Sequence, residues 1–296
     1  MQATPLIEER MRLGESIIWD PQQEVLLWVD VGYPSYLYQY HPSDGTTDRI
    51  ECDFMLSGVT LTDKPDTVLL LSDEGLKLCH LPSQQVESFL DVEPDECGNR
   101  CNDWGVDSQG RLWFGTMENN INRDNSSHSI GKNGSLYCLS GRELIRHDTG
   151  LGIPNTLLWS PNNRVFYMAD SIEQTIYRYE YDGMNLSART VFSDIKTDGV
   201  PDGSAIDVEG KIWNCRWGDA AVFVFAPDGT QSATIPIPAA QVTSCTFAGP
   251  DMTTLYITTA RYEMTPEEQE QYPLAGSVFK LETETRGTTR ARVRIS

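Results

Sequence analysis

Six segments of this chain share one pattern: an apolar pair, a turn opened by Asp, Ser or a small residue, then a strand of apolar and aromatic residues. They are IIWDPQQEVLLWVD from Ile17, VTLTDKPDTVLLLSD from Val59, WGVDSQGRLWFGT from Trp104, LLWSPNNRVFYMAD from Leu157, SAIDVEGKIWNCRW from Ser204 and CTFAGPDMTTLYITTA from Cys245. Their turns begin near residues 20, 62, 107, 160, 207 and 248, about 41 to 53 residues apart. A repeat at that period constrains the fold more than any single motif, because one such unit cannot cover its own apolar face and needs a neighbour to do so.

Runs of Val, Ile, Leu, Trp, Tyr and Phe bounded by Asp, Gly, Pro and Asn are hairpin signals. After each apolar hairpin comes a more polar one: YLYQYHPSDGTTDRI, LKLCHLPSQQVESFL, SLYCLSGRELIRHD, IYRYEYDGMNLSARTVF, VFVFAPDGTQSATIPI and SVFKLETETRGTTRARVRI. Two hairpins per repeat make four strands. Six such repeats predict an all-β, six-bladed β-propeller with four antiparallel strands per blade, a single domain over residues 1–296. A sandwich or stacked sheet is the alternative, but it does not call for this alternation of apolar and polar hairpins. LIEERMRL, ahead of the first repeat, stands where later blades have their outermost strand, so it is expected to pair with the last blade and close the ring.

Composition narrows the partners. A formal net charge of −20 argues against nucleic acid, whose binding needs a basic surface. No stretch approaches the apolar length of a membrane span, and the acidic start MQATPLIEERMRLGES does not read as a signal peptide, so a cytoplasmic protein without a membrane partner is expected. Seven cysteines without a CxxC pair suggest reduced thiols. Cys97 and Cys101, the nearest pair, lack the second ligand pair of a zinc site. His41, His80, His128 and His147 show no ligand spacing, so a His-based zinc centre is not expected.

Counting five residues back from each turn start lands on Glu15, Ser57, Asn102, Asn155, Asp202 and Thr243, all polar. In a propeller, equivalent positions are related by rotation about the central channel, so these six side chains are expected to ring one mouth of it. Asp20, Asp107, Ser160 and Asp207 have a sufficient local role, since Asp and Ser bond the backbone of tight turns. Glu15, Asn155 and Asp202 precede an apolar pair and have no such role. Two carboxylates and an amide oxygen form a hard donor set suited to one divalent cation, with the other positions left to water or substrate. Calcium, magnesium, manganese, zinc and ferrous iron all stay open. Asp30, Asp73 and Asp170, at strand ends, are candidates to return toward the same mouth behind the ligands, against turn or surface roles.

The chain resembles the gluconolactonase and regucalcin (SMP-30) family of sugar-lactone hydrolases. The likeness runs through LGESIIWD at Leu13, NRCNDWGVDSQGRLWFGTM at Asn99, PNTLLWSPNNRVFYMADS at Pro154, VPDGSAIDVEGKIW at Val200, TSCTFAG at Thr243 and AGSVFK at Ala275. It implies a six-bladed propeller with a divalent metal in the channel on Glu15, Asn155 and Asp202. It also implies contacts from Arg100 and Asn102 to sugar hydroxyls, with Asp103 acting behind them. Two departures stand out. Thr156 follows Asn155 where the family commonly has glycine, and the position of a sugar-binding carboxylate after Gly115-Thr116-Met117 falls on Asn120 in direct register. Glu118 and Asn120 are the candidate substrate contacts there.

The expected reaction is hydrolysis of an aldono- or aldarolactone, with the cation polarising the carbonyl and Asp202 as general base. The expected partner is thus a small sugar lactone. A monomer is the simplest state of a closed ring, with a dimer as the alternative. Two rivals remain: a calcium-dependent organophosphate or aryl-ester hydrolase on a similar propeller, and a non-enzymatic propeller that binds calcium or a protein. No GxSxG elbow supports a serine nucleophile.

Overall fold

The computed structural model describes residues 2–94 and 98–295, so Cys97 and its pairing with Cys101 lie outside the described residues. The fold is all-β and propeller-like, with one short helix at Pro266–Gln271. Four sheets are separate, four-stranded and antiparallel. The first holds Gly14–Asp20, Val25–Asp30, Ser35–His41 and Thr46–Cys52. The second holds Leu56–Leu61, Thr67–Ser72, Gly75–His80 and Gln85–Leu90. The third holds Asn99–Val106, Leu112–Glu118, Gly134–Ser140 and Glu143–Leu151, and the fourth Pro154–Trp159, Val165–Asp170, Thr175–Tyr181 and Leu186–Ser193.

The remaining eight strands share one sheet. Its first half is Val200–Ile206, Ile212–Trp217, Ala221–Phe225 and Gln231–Pro236, and its second half is Gln241–Ala248, Thr254–Ala260, Val278–Glu282 and Thr4–Ile7. One residue pair, Trp217 with Gln241, joins the halves. Each inner strand packs beside the next, and Gln241–Ala248 returns to Gly14–Asp20, which closes a ring. Apolar clusters fill the spaces between sheets; one gathers Trp113, Trp159, Phe166 and Tyr181. Among the described residues no helix is long and apolar enough to cross a membrane.

The N-terminal end does pair with Val278–Glu282 of the last half-sheet, but through Thr4–Ile7, which shares only Leu6 and Ile7 with the expected segment LIEERMRL. That pairing corrects the reading of SVFKLETETRGTTRARVRI as a sixth polar hairpin. The edge of Val278–Glu282 is already taken, so residues 283–295 leave the sheet and cross the end of the channel where the turns lie. There Val208 N–H donates to Arg286 O at 2.9 Å, Thr288 N–H to Ile206 O at 3.1 Å, Val293 N–H to Leu61 O at 2.8 Å and Arg294 N–H to Gly110 O at 2.8 Å. The alternating Thr and Arg residues that look like a strand satisfy their backbone across three sheets instead.

The turn residues act as expected. Asp207 Oδ1 accepts from Glu209 N–H and Lys211 N–H, and Asp107 Oδ1 from Gln109 N–H and Arg111 N–H. In both turns the second carboxylate oxygen takes the indole N–H of a tryptophan six residues on, Trp213 and Trp113, at 3.1 Å. The turn is thereby tied to the core.

Candidate active site in the channel

In every inner strand the pairing register slips at one place: between Glu15 and Ile18, Leu56 and Gly58, Cys101 and Trp104, Asn155 and Leu158, Pro201 and Ser204, and Val242 and Cys245. A bulge frees the backbone from its ladder and re-aims a side chain. Here it lets polar residues inside apolar strands face the channel. Ser16 and Thr156, the residues after Glu15 and Asn155, take left-handed φ values of 59° and 58°. A non-glycine residue holds that conformation at a cost, and such strain persists only where surroundings enforce it.

Glu15, Ser57, Asn102, Asn155 and Asp202 line one cavity of about 240 Å3, together with Arg100, Asp103 and Asn120. Five of the six ring positions therefore converge. Thr243 does not: it is buried, its hydroxyl donates to Gly14 O at 2.5 Å and lies 2.9 Å from Thr258 Oγ1. Glu118 is also outside, because its Oε2 accepts from Gly131 N–H and Asn133 Nδ2 beside a neighbouring surface cavity of about 710 Å3. Met117 and Asn120 take the inward positions on that stretch. Asp30, Asp73 and Asp170 do not line the cavity. They accept backbone N–H groups of the segments leading to the ring, from Leu13, Met55 and Gly152 respectively.

A hydrogen-bonded series crosses the cavity wall. Arg100 Nη1 donates to Asn102 Oδ1 at 2.7 Å, Asn102 Nδ2 donates to Asn155 Oδ1 at 3.1 Å, and Asn155 Nδ2 donates to Ser171 Oγ at 2.9 Å. Arg100 Nη2 reaches Asn120 Oδ1 at 3.3 Å. The series orients the Asn155 amide with its oxygen toward Asn102, leaving that oxygen a second lone pair. Sequence patterning did not single out Ser171, Trp217, Tyr262 or Glu263, which also line the cavity. Tyr262 and Glu263 follow the sixth repeat in a loop, where no periodicity marks them. Segment 119–133 reaches over the same mouth: Asn125 exchanges two hydrogen bonds with the backbone of Tyr33, and Ser127 bonds Glu263.

Electrostatically the cavity is strained. Glu15 faces the cavity and keeps some accessible surface, yet it is deeply enclosed; burial, and then the charge of Asp103, push its carboxyl from 4.5 to about 8. Burial raises Asp202 well above its ordinary value, reinforced by the charges of Glu15 and Asp103. Burial also raises Asp103. Glu15 and Asp202 each accept the following backbone N–H, from Ser16 and Gly203. Among the described residues no three His, Cys, Asp or Glu side chains converge as a ligand set. A cation here would rest on two carboxylates and the Asn155 amide oxygen. That donor set fits a hard divalent ion, and such an ion would offset the burial and, after it, the neighbouring charge that raise both carboxyls.

A propeller-like ring that brings carboxylates, an arginine and amides around one small cavity is a candidate small-molecule site. The chain belongs to the SMP-30/gluconolactonase/LRE-like family, whose profile matches residues 13–261. It is similar to regucalcin of Gallus gallus, with 32% identity over 92% of this chain and 91% of the relative. It is likewise similar to a protein of Haloferax volcanii named pentonolactonase XacC, with 33% identity over 88% of this chain and 86% of the relative. Among solved structures, a calcium-binding regucalcin of Agrobacterium tumefaciens superposes with a TM-score of 0.91 at 29% identity, covering 98% of this chain and 96% of that one.

Proposed function

We propose that this chain is a metal-dependent sugar-lactone hydrolase, built as one six-bladed domain over residues 1–296 in which the eight-stranded sheet counts as two blades. The observation that carries the reading is the convergence of Glu15, Asn155 and Asp202 with Arg100 and Asn102 on one cavity of about 240 Å3. The name pentonolactonase borne by the relative from Haloferax volcanii supports the lactone as substrate class.

Glu15, Asn155 and Asp202 would hold the cation. When bound, a divalent ion supplies Lewis acidity toward a carbonyl oxygen and lowers the pKa of water. Asp202, turned toward the cavity beside the other ligand positions, is the residue placed to take the proton of the attacking water. Arg100 and Asn102 orient the ring through its hydroxyls, with Asn120 beside Arg100 as a neutral contact. The bonds from Asn102 and to Ser171 keep the Asn155 amide from rotating. Arg100 and the amides suit a polyhydroxylated ring better than an aryl ester, which would favour a more apolar wall. We also place the protein in the cytoplasm as a monomer.

A pH-indicator assay over gluconolactone, xylonolactone, galactonolactone and arabinonolactone tests the reading, run with chelator and with each divalent metal restored. At least one lactone should open faster than its spontaneous rate only with metal present. Uncatalysed rates for every lactone under every metal would end the lactonase reading.

A further inference from the structure

At the channel end opposite the mouth, segment 283–295 places Arg290 against the underside of the site. The Arg290 guanidinium centre lies 5.2 Å from the ring centroid of Trp104, and its Nη2 donates to Ser204 O at 3.1 Å. Trp104 is fully enclosed, and a Cβ on Gly58 would come within 2.8 Å of its ring, so the indole has little room to shift. Two bonds leave this indole and its neighbour Asp103 toward the ligand positions. Trp104 Nε1 donates to Ser16 Oγ at 2.7 Å, and Thr156 N–H donates to Asp103 Oδ2 at 2.7 Å. Asp103 Oδ1 also accepts Trp104 N–H at 2.8 Å, which makes the two residues one unit.

Ser16 and Thr156 are the two left-handed residues that directly follow Glu15 and Asn155. Each makes one bond with the Asp103–Trp104 unit, beside the bonds of Ser16 to Val59 and of Thr156 to Asp202 O and Ser204 that help enforce its costly conformation. The Arg290 guanidinium lies over the Trp104 ring, and its charge offsets that of Asp103. We infer that Arg290 is a positioning residue for the cation site, acting through Trp104 on Ser16 and Glu15 and through Asp103 on Thr156 and Asn155. The segment beyond the last sheet strand thus serves the site as well as covering the channel end. Arg292, on the same segment, provides the contrast: it donates to Thr62 O and Asp20 and touches neither Trp104 nor Asp103.

The inference rests on the cation part of the proposed function, so its test reads metal binding directly. Mn2+ affinity is measured by electron paramagnetic resonance on the full chain, with circular dichroism to verify folding, for Arg290→Gln, Arg290→Lys and Arg292→Gln. Loss of a group that orients ligands weakens metal binding about tenfold or more. Arg290→Gln should show that loss while folded, and Arg290→Lys, which keeps the charge without the guanidinium that bonds Ser204 O, should fall between it and wild type. Arg292→Gln should lower the melting temperature and leave Mn2+ affinity unchanged. Wild-type affinity in folded Arg290→Gln would overturn the inference, as would an equal loss in Arg292→Gln. If Arg290→Gln does not fold, Arg290→Lys decides, and wild-type affinity in it is the refuting result. A wild-type chain that binds Mn2+ but opens no lactone ends the lactonase reading and leaves this inference standing.

Discussion

Asp202 and Asp207 stand five residues apart on one hairpin and have separate surroundings. Asp207 is fully buried at the turn, where four donors meet its carboxylate: Glu209 N–H, Lys211 N–H, Trp213 Nε1 and, more distantly, Thr285 Oγ1. Asp207→Ala leaves those donors without an acceptor and should cost about 3 kcal/mol of stability in urea denaturation, since each buried unsatisfied group costs about 1–3 kcal/mol. Asp202 accepts one backbone N–H and otherwise faces the cavity. Asp202→Ala should preserve the melting temperature and reduce lactone turnover about 100-fold or more, the scale of a lost general base. Full activity in that variant would remove Asp202 from the mechanism. The difference between the two aspartates was legible from the offset shared with Glu15 and Asn155. The fates of Thr243 and Glu118 were not, because offset fixes where a residue stands along a strand and not which neighbour its side chain bonds. Thr243 found the Gly14 carbonyl, and Glu118 found the loop at Gly131 and Asn133.

At the scale of the element, the inner strand is a strand with one deliberate fault. The repeat of apolar pair, turn and apolar strand announces its hairpin, while the register slip that turns the polar residue inward leaves no mark in composition. Close packing of neighbouring inner strands imposes a further condition, visible at Gly105. A Cβ there would come within 2.2 Å of Leu157 O, a backbone atom of the adjacent sheet. Gly105→Ala should therefore destabilise by about 1–3 kcal/mol, the cost of forcing atoms into a full interior, read from the shift of the urea midpoint. An unshifted midpoint would mean that the two sheets are free to separate there. The last polar hairpin was misread for a physical reason: its sequence alternates like a strand, but Thr4–Ile7 already occupies the edge it would have paired with. Only a partner distant in sequence decides that outcome.

For the whole molecule, ring closure gathers charge from distant parts of the chain into one channel, and stability should record it. Burial, and then the charge of Asp103, push the Glu15 carboxyl from its ordinary 4.5 up to about 8, and burial shifts Asp202 the same way. Carboxyls raised on folding stabilise the protonated native state, so this contribution is fully present below about 4.5 and is lost as pH rises through about 8. Relative to the protein saturated with Ca2+ or Mn2+, the metal-free protein should lose melting temperature steadily across that window. A constant difference between the two forms would contradict the charge cluster. The ring itself could be read from the sequence because six similar segments, about 41 to 53 residues apart, each need a neighbour to cover an apolar face. The closing segment and Arg290 could not, since they belong to no repeat.

The central claim is that Glu15, Asn155 and Asp202 together hold one divalent cation in the channel. Its most direct measurement is Mn2+ binding stoichiometry by electron paramagnetic resonance on wild type and on the double variant Glu15→Gln with Asp202→Asn, both shown to be folded. The account predicts one tightly bound ion per chain in wild type and none in the variant at the same concentrations. Equal occupancy in the two proteins would place the cation elsewhere and contradict it.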